Sequence, residues 1–366
     1  MILATSTARN LWGLKPWAVV MPLLAAAAIF VGKPASAPLA ILCAVLLAGA
    51  IMAAVYHAEV LAHYLGEPFG TLTLALAVTI IEVALIVSIM LSEGAQAQAL
   101  ARDTLIAAIM ITINGIVGIC LLAGGRIHHE QTYTQSGVSA GLAMLATLSV
   151  LTLVLPNFTT SAAGPFYAPQ QLVFVAVVSL IIYATFVVAQ TIRHRDHFLH
   201  RIEDADDHAH QAPVSRSQAL AAGAVLIIAL VGVVLLAKNL SPTIEAAVEA
   251  MGAPRALVGI VIAGLILAPE GFAALAAARA NRVQTSLNLA IGSALATIGL
   301  TIPAVAIVAL ALHLDLELGL SMRGTVLLAL TLLVATITLS RGRTTVVQGV
   351  IHLVIFATFL FTTIVP

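Results

Sequence analysis

The sequence predicts an all-α integral membrane protein of about eleven transmembrane helices: one N-terminal helix followed by two inverted five-helix repeats. Three observations predict it. The 366 residues are 61% hydrophobic and only 9% charged, where soluble domains carry roughly 25% charged residues. The apolar residues come in runs close to the ~20 needed to cross a hydrocarbon core of about 30 Å. The short alternating segments of a β-barrel are absent from the sequence.

Taken in order, the runs lie near 16–32, 38–56, 70–91, 103–124, 138–156, 171–191, 217–237, 257–278, 285–311, 324–340 and 345–365. The first is short and holds Pro22; the ninth holds Pro303. Arg9 and Lys15 precede the first run, and Ala35-Ser36-Ala37 resembles a signal cleavage site. Pro38 follows directly and disfavours cleavage, so the segment is expected to stay as a first helix. Cys43 and Cys120 fall inside apolar runs and are expected to be packing residues, with no CxxC pair. Zero net charge gives no reason to expect a nucleic-acid partner.

With the N-terminus in the cytoplasm, the inside segments carry Arg9, Lys15, Arg126, Arg193, Arg195, Arg201, Arg216, Arg279, Arg282, Arg341 and Arg343. The outside segments carry Lys33, Arg102, Lys238, Arg255 and Arg323. Eleven bases against five favour a cytoplasmic N-terminus and an outside C-terminus. The setting expected is a cytoplasmic (inner) membrane.

The one long charged loop, HRDHFLHRIEDADDHAHQAPVSRSQ from His194, holds five of the eleven histidines and five of the sixteen acids. It is expected to be cytoplasmic. It reads as a solvated linker or, more sharply, as a cation or pH sensor, because histidine titrates near neutrality. Its His208-x-His210 pair would bind a metal only weakly. The loop, 193–216, separates a first repeat (38–192, after the helix in 1–37) from a second (217–366). Five helices per half is odd, so the halves run in opposite orientations, as in many secondary transporters.

The halves also match in pattern. GTLTLALAVTIIEVALI leads to DTLIAAIMITINGIVG, and VGIVIAGLILAPEGFAAL leads to QTSLNLAIGSALATIG. Each pairs a helix holding one central glutamate with a Thr-containing helix rich in small residues. Glu82 and Glu270 fall near the middles of their spans, and at 1.5 Å per residue that is the membrane midplane.

Of the sixteen acids only these two lie mid-span, and no Lys or Arg does. An ionised carboxylate there costs at least ~2.5–3.5 kcal/mol. It must be protonated, or it must face a polar cavity and bind a cation. Desolvation favours the proton and an approaching cation displaces it. Mutual exclusion of proton and cation at one site is the physical requirement for antiport. Two glutamates suit a hard divalent ion, which takes six to eight oxygens. Thr79 lies one turn before Glu82; Thr112, Asn114, Ser293 and Thr297 lie on the following helices and are candidate supporting ligands. Pro269 has no N–H and frees a carbonyl one turn before Glu270. Each hydroxyl has an equally good reading as a group bonded to its own helix. His352 and His57 are expected to be structural or interfacial.

A cation channel is an alternative, since two glutamates per chain could serve a dimeric pore. An intramembrane enzyme with paired carboxylates is a lesser one. The spans show no HExxH, Gly-x-Ser-x-Gly or aspartate pair, so no enzyme is expected.

The stretches His57–Ile86, Ala101–Gly118, Leu267–Gly271 and Asn288–Pro303 together resemble the calcium/cation antiporter superfamily. Within it they are most similar to the bacterial ChaA-type calcium/proton (and sodium- or potassium/proton) antiporters. The resemblance covers about Pro38 to Pro366. It implies an eleven-helix fold and exchange of a cation for protons at the two repeat glutamates, Glu82 and Glu270. The transported species are Ca²⁺, or Na⁺ or K⁺, and H⁺, with no resident cofactor. The Gly-Asn pair that precedes each glutamate in many members is Val78-Thr79 and Ile266-Leu267 here, and Ala296 stands near a common glutamine. The side-chain shell is therefore leaner, which leaves room for Na⁺ or K⁺.

Overall fold

The computed structural model describes residues 13–66, 69–93, 98–193, 214–252, 254 and 256–365. Eleven long helices run through the described residues: α1 Pro16–Val31, α2 Ala37–Leu65, α3 Phe69–Glu93, α4 Leu100–His128, α5 Gln135–Phe158, α6 Pro169–Arg193, α7 Arg216–Ala250, α8 Ala256–Arg279, α9 Val283–Leu312, α10 Met322–Leu339 and α11 Val346–Ile364. Nine are long and apolar enough to cross a membrane; α1 and the Leu76–Leu91 stretch of α3 are shorter apolar segments. Each expected run lies within or on one helix. Several helices outrun their apolar stretch, α7 most of all, because a helix continues into the interface until something stops it. Pro242 lies within α7 and Pro303 within α9, yet both helices continue. The His-rich loop, with His208 and His210, lies mostly outside the described residues.

Start signals are local. Pro169 opens α6 in its first turn, where the missing N–H costs nothing. The Ser321 hydroxyl accepts from the Gly324 N–H at the head of α10 (3.2 Å). At the head of α11, Gln348 reaches back to the Thr345 N–H at 2.8 Å.

The chain forms two compact units. The first takes in α1, α2, the start of α3 and most of α7. Here α1 packs closely along α2, and Gly49 lies against the Met21 side chain. Pro22, inside α1, has no N–H for the carbonyl four residues back, that of Ala18. The fully buried His57 on α2 supplies the missing donor, its Nε2 lying 2.8 Å from the Ala18 oxygen. Asn239 of α7 donates to the Ile29 carbonyl at the far end of α1 (3.1 Å).

The second unit holds the rest of α3, α4–α6, the last turn of α7 and α8–α11. Two of its helices, α4 and α9, are lined with buried residues along most of their length. Glycines set their close approaches. Gly118 of α4 meets Leu353 of α11, and Gly349 of α11 lies against the Leu122 backbone. Gly299 of α9 meets Tyr183 of α6, and Gly141 of α5 meets Ile291 of α9. So α4 packs on α11 as α9 packs on α6, the arrangement expected of two related halves.

The linkers repeat the relationship. The strand β1 (Gln131–Thr132), after α4, pairs antiparallel with β2 (Arg343–Thr344), after α10. Phe166, after α5, bridges to Glu317, after α9. Each pairing joins linkers separated by an even number of helices, six and four. That is required if every helix between them crosses the membrane once. One face of this unit thus carries 128–134, 278–284 and 341–344. The opposite face carries Arg102, Pro165 and Glu317.

Candidate functional site

The site is built on one stripe of α9. Ser293 and Thr297 stand one turn apart, and both are buried. Neither hydroxyl makes the usual bond to its own helix. Ser293 donates to Glu270 Oε2 on α8 at 2.6 Å. Thr297 donates to Glu82 Oε2 on α3 at 2.8 Å. Adjacent turns of one helix therefore hold the two glutamates that the halves contribute separately.

Glu82 is 3% exposed. Its second oxygen, Oε1, is buried and has no hydrogen-bond partner among the described residues. A carboxylate oxygen in that state costs free energy unless it carries a proton or faces a cation. Glu270 is half-buried and follows Pro269 within α8, which leaves the Leu265 carbonyl without its helical donor.

The other candidate residues are placed as follows. Thr79 is buried on α3. Thr112 is fully buried and donates to the Ala108 carbonyl of its own helix at 2.7 Å. Asn114 lies in the wide π turn Met110–Ile116 of α4. Its amide is spent on α10 and α11: Nδ2 donates to Thr331 (2.8 Å), and Oδ1 lies 3.1 Å from His352 Nδ1. The chain of bonds orients it. Thr331 already donates to the Leu327 carbonyl, so it accepts from Asn114. His352 Nε2 closes the network on Thr338 at 2.9 Å. The structure thus brings Ser293 and Thr297 to the glutamates, engages Thr112 and Asn114 elsewhere, and ties His352 into packing. Nothing in the sequence pointed to the Thr331 and Thr338 partners, which are separated from Asn114 by over two hundred residues.

Among the described residues, no three His, Cys, Asp or Glu side chains gather as a metal cluster. Cys43 and Cys120 are buried and free. At the face bearing Glu317, a cavity of about 600 Å³ is lined by residues including Arg102, Asn157, Glu317 and Ser321. Arg102 there bridges Asp103 (2.8 Å) and Glu317.

Apolar helices of membrane-crossing length and two carboxyls set within such helices are what a multi-pass membrane transporter of inorganic cations needs. The chain belongs to the sodium/calcium exchanger protein family, whose model matches residues 35–192 and 221–365. It is 48% identical over 332 residues to the y4hA protein of Sinorhizobium fredii, covering 90% of each chain. It is 37% identical over 355 residues to the sodium-potassium/proton antiporter ChaA of Escherichia coli, covering 95% of this chain and 96% of that one. The fold is similar to that of the H⁺/Ca²⁺ exchanger CAX, with TM-score 0.73 at 17% identity over 94% of this chain and 86% of that one. The membrane-transporter class, the helix count and the all-α fold read from the sequence stand.

Proposed function

We propose that this protein is a secondary active cation/proton antiporter that exchanges Ca²⁺, or Na⁺ or K⁺, for H⁺ at Glu82 and Glu270. The observation that carries the reading is the pairing of Glu82 with Thr297 and of Glu270 with Ser293 on successive turns of α9, with Glu82 Oε1 left unpartnered. Protons arriving from one side neutralise the carboxyls and release the cation. Loss of those protons on the other side restores the cation-binding charge. The hydroxyls serve both states, accepting from a protonated carboxyl or donating to an ionised one.

The names of two similar proteins support proton coupling and divide over the ion: ChaA is a sodium-potassium/proton antiporter and CAX an H⁺/Ca²⁺ exchanger. The positive-inside count favours a cytoplasmic N-terminus in the bacterial inner membrane; with protons entering down their gradient, exchange runs as cation export. In everted vesicles with a preformed pH gradient, added Ca²⁺, Na⁺ or K⁺ should dissipate the gradient. If none of the three does so, the reading is wrong. If Glu82→Gln or Glu270→Gln exchanges as well as the parent, the site is misassigned.

A further inference from the structure

The α9 stripe does not end at Thr297. One turn further stands Thr301, fully buried, whose hydroxyl oxygen has no hydrogen-bond partner among the described residues. A threonine inside a membrane helix has an easy partner, the carbonyl four residues back. Buried Thr112, Thr152, Ser179, Thr331 and Thr363 all take it, at 2.7–2.8 Å. Ser293, Thr297 and Thr301 do not. The first two bond to carboxyls, and the third bonds to nothing among the described residues.

A second feature falls on the same turn. Pro303 lies inside α9 and has no N–H to give to the Gly299 carbonyl. A similar loss in α1 is repaired by His57. Each is an uncharged hard oxygen: the Thr301 hydroxyl has no partner among the described residues, and the Gly299 carbonyl lacks its helical N–H. They suit a cation that has shed part of its water shell.

We propose that Thr301 is a further ligand position for the transported cation, one turn along α9 from Glu82 toward the face that carries Arg102 and Glu317. It rests on the exchange reading above. The rise between Thr297 and Thr301 is about 6 Å for four residues. Ser293, Thr297 and Thr301 then form a ladder, on which the cation meets neutral oxygens before the carboxyls that take its charge.

The test uses the full-length protein, purified and in vesicles, with Ca²⁺, Na⁺ and K⁺ each as probe. Thr301→Val keeps the shape and deletes the oxygen; Thr301→Ser keeps the oxygen. For the ion that exchanges, Thr301→Val should raise the half-saturating concentration roughly three- to tenfold, the loss of one oxygen ligand. The saturated rate should be retained, and Thr301→Ser should restore the parent value. The cation-free melting temperature should be unchanged or higher in Thr301→Val, because an unpartnered buried hydroxyl is removed. An unchanged half-saturating concentration, alongside loss of exchange in Glu82→Gln, would overturn the proposal and leave the main site standing. A lower cation-free melting temperature with unchanged half-saturation would mean that Thr301 holds a structural water, and would also overturn it. Parent protein that exchanges none of the three ions would bring down the exchange reading itself.

Discussion

Thr297 of α9 donates its hydroxyl to Glu82 of α3 at 2.8 Å, a bond that joins the second half of the chain to the glutamate of the first. Replacing Thr297 with Val leaves an interior carboxyl with neither oxygen bonded, because Glu82 Oε1 has no partner among the described residues to begin with. Hydrogen bonds to charged groups are worth about 1.5–3 kcal/mol, or roughly tenfold or more in an equilibrium. Cation affinity, read as half-saturation of exchange, should weaken by roughly tenfold in Thr297→Val. It should recover in Thr297→Ser. Parent-like half-saturation in Thr297→Val would show that the bond carries no part of binding.

The mirror position carries a different residue. Aligning the two matched stretches sets Thr112 against Ser293 and Ile116 against Thr297. Glu270 therefore lacks the cross-half hydroxyl that Glu82 has. Ile116 instead packs beside Gly271, where an added Cβ would lie 3.3 Å from Ile116 Cδ1. Ile116→Thr trims that contact and adds an oxygen next to the Glu270 turn. A divalent ion profits most from a fuller oxygen shell. The variant should shift exchange toward Ca²⁺ over Na⁺ and K⁺ by a few-fold, measured as the ratio of half-saturating concentrations. A ratio equal to the parent's would refute the asymmetry as a cause of ion preference.

The glutamates were legible in the sequence because charge in an apolar run is costly and therefore conspicuous. The helix count was legible for the related reason that apolar runs have a set length. What α9 does was only half legible. Ser293 and Thr297 could be suspected from spacing, but so could Thr112 and Asn114. A hydroxyl's choice between its own helix and a neighbour depends on which helix packs there. The partners of Asn114, on α10 and α11, are more than two hundred residues away in sequence. Likewise, no local signal marks the linker pairings Gln131–Thr344 or Phe166–Glu317, since two-residue strands have no periodicity to read.

Glycine at 349 is a packing requirement. A Cβ there would lie 2.5 Å from the Leu122 backbone nitrogen, an atom that cannot swing aside. Gly349→Ala should push α11 off α4 and lower stability by about 1–3 kcal/mol, the usual cost of overpacking. Gly223→Ala is the control, because its nearest neighbour is a Leu61 methyl at 3.9 Å. Melting temperatures in detergent compare the two. Equal values would mean that the α4–α11 seam yields more than its geometry implies.

Two ion pairs should differ in weight. Arg102 is 17% exposed and answers two carboxylates, Asp103 and Glu317. Arg343 meets Glu130 at 3.3 Å with 72% and 48% exposure. Exposed pairs contribute about 0–1 kcal/mol. Removing one member of a buried set strands the others at up to ~3–5 kcal/mol, a figure to be discounted here for the remaining solvent access. Arg102→Gln should therefore lower the melting temperature clearly and Arg343→Gln hardly at all. The reverse order would show that the Arg102 bridge is solvated in the membrane-bound protein.

The His57–Ala18 bond gives the sharpest test of why a histidine is buried in an apolar helix. Pro22 deprives the Ala18 carbonyl of its helical donor, and His57 Nε2 replaces it at 2.8 Å. His57→Leu should leave that carbonyl orphaned and cost about 1–3 kcal/mol. Pro22→Ala returns the N–H to α1, so the helix can satisfy Ala18 by itself. In that background His57→Leu should cost little. The double-mutant cycle, read from melting temperatures or unfolding in denaturant, should show a coupling of about 0.5–3 kcal/mol. Additive effects would mean that His57 and Pro22 act independently and that the histidine is held for another reason. Exchange at saturating cation should persist in all four proteins, since neither residue belongs to the glutamate site.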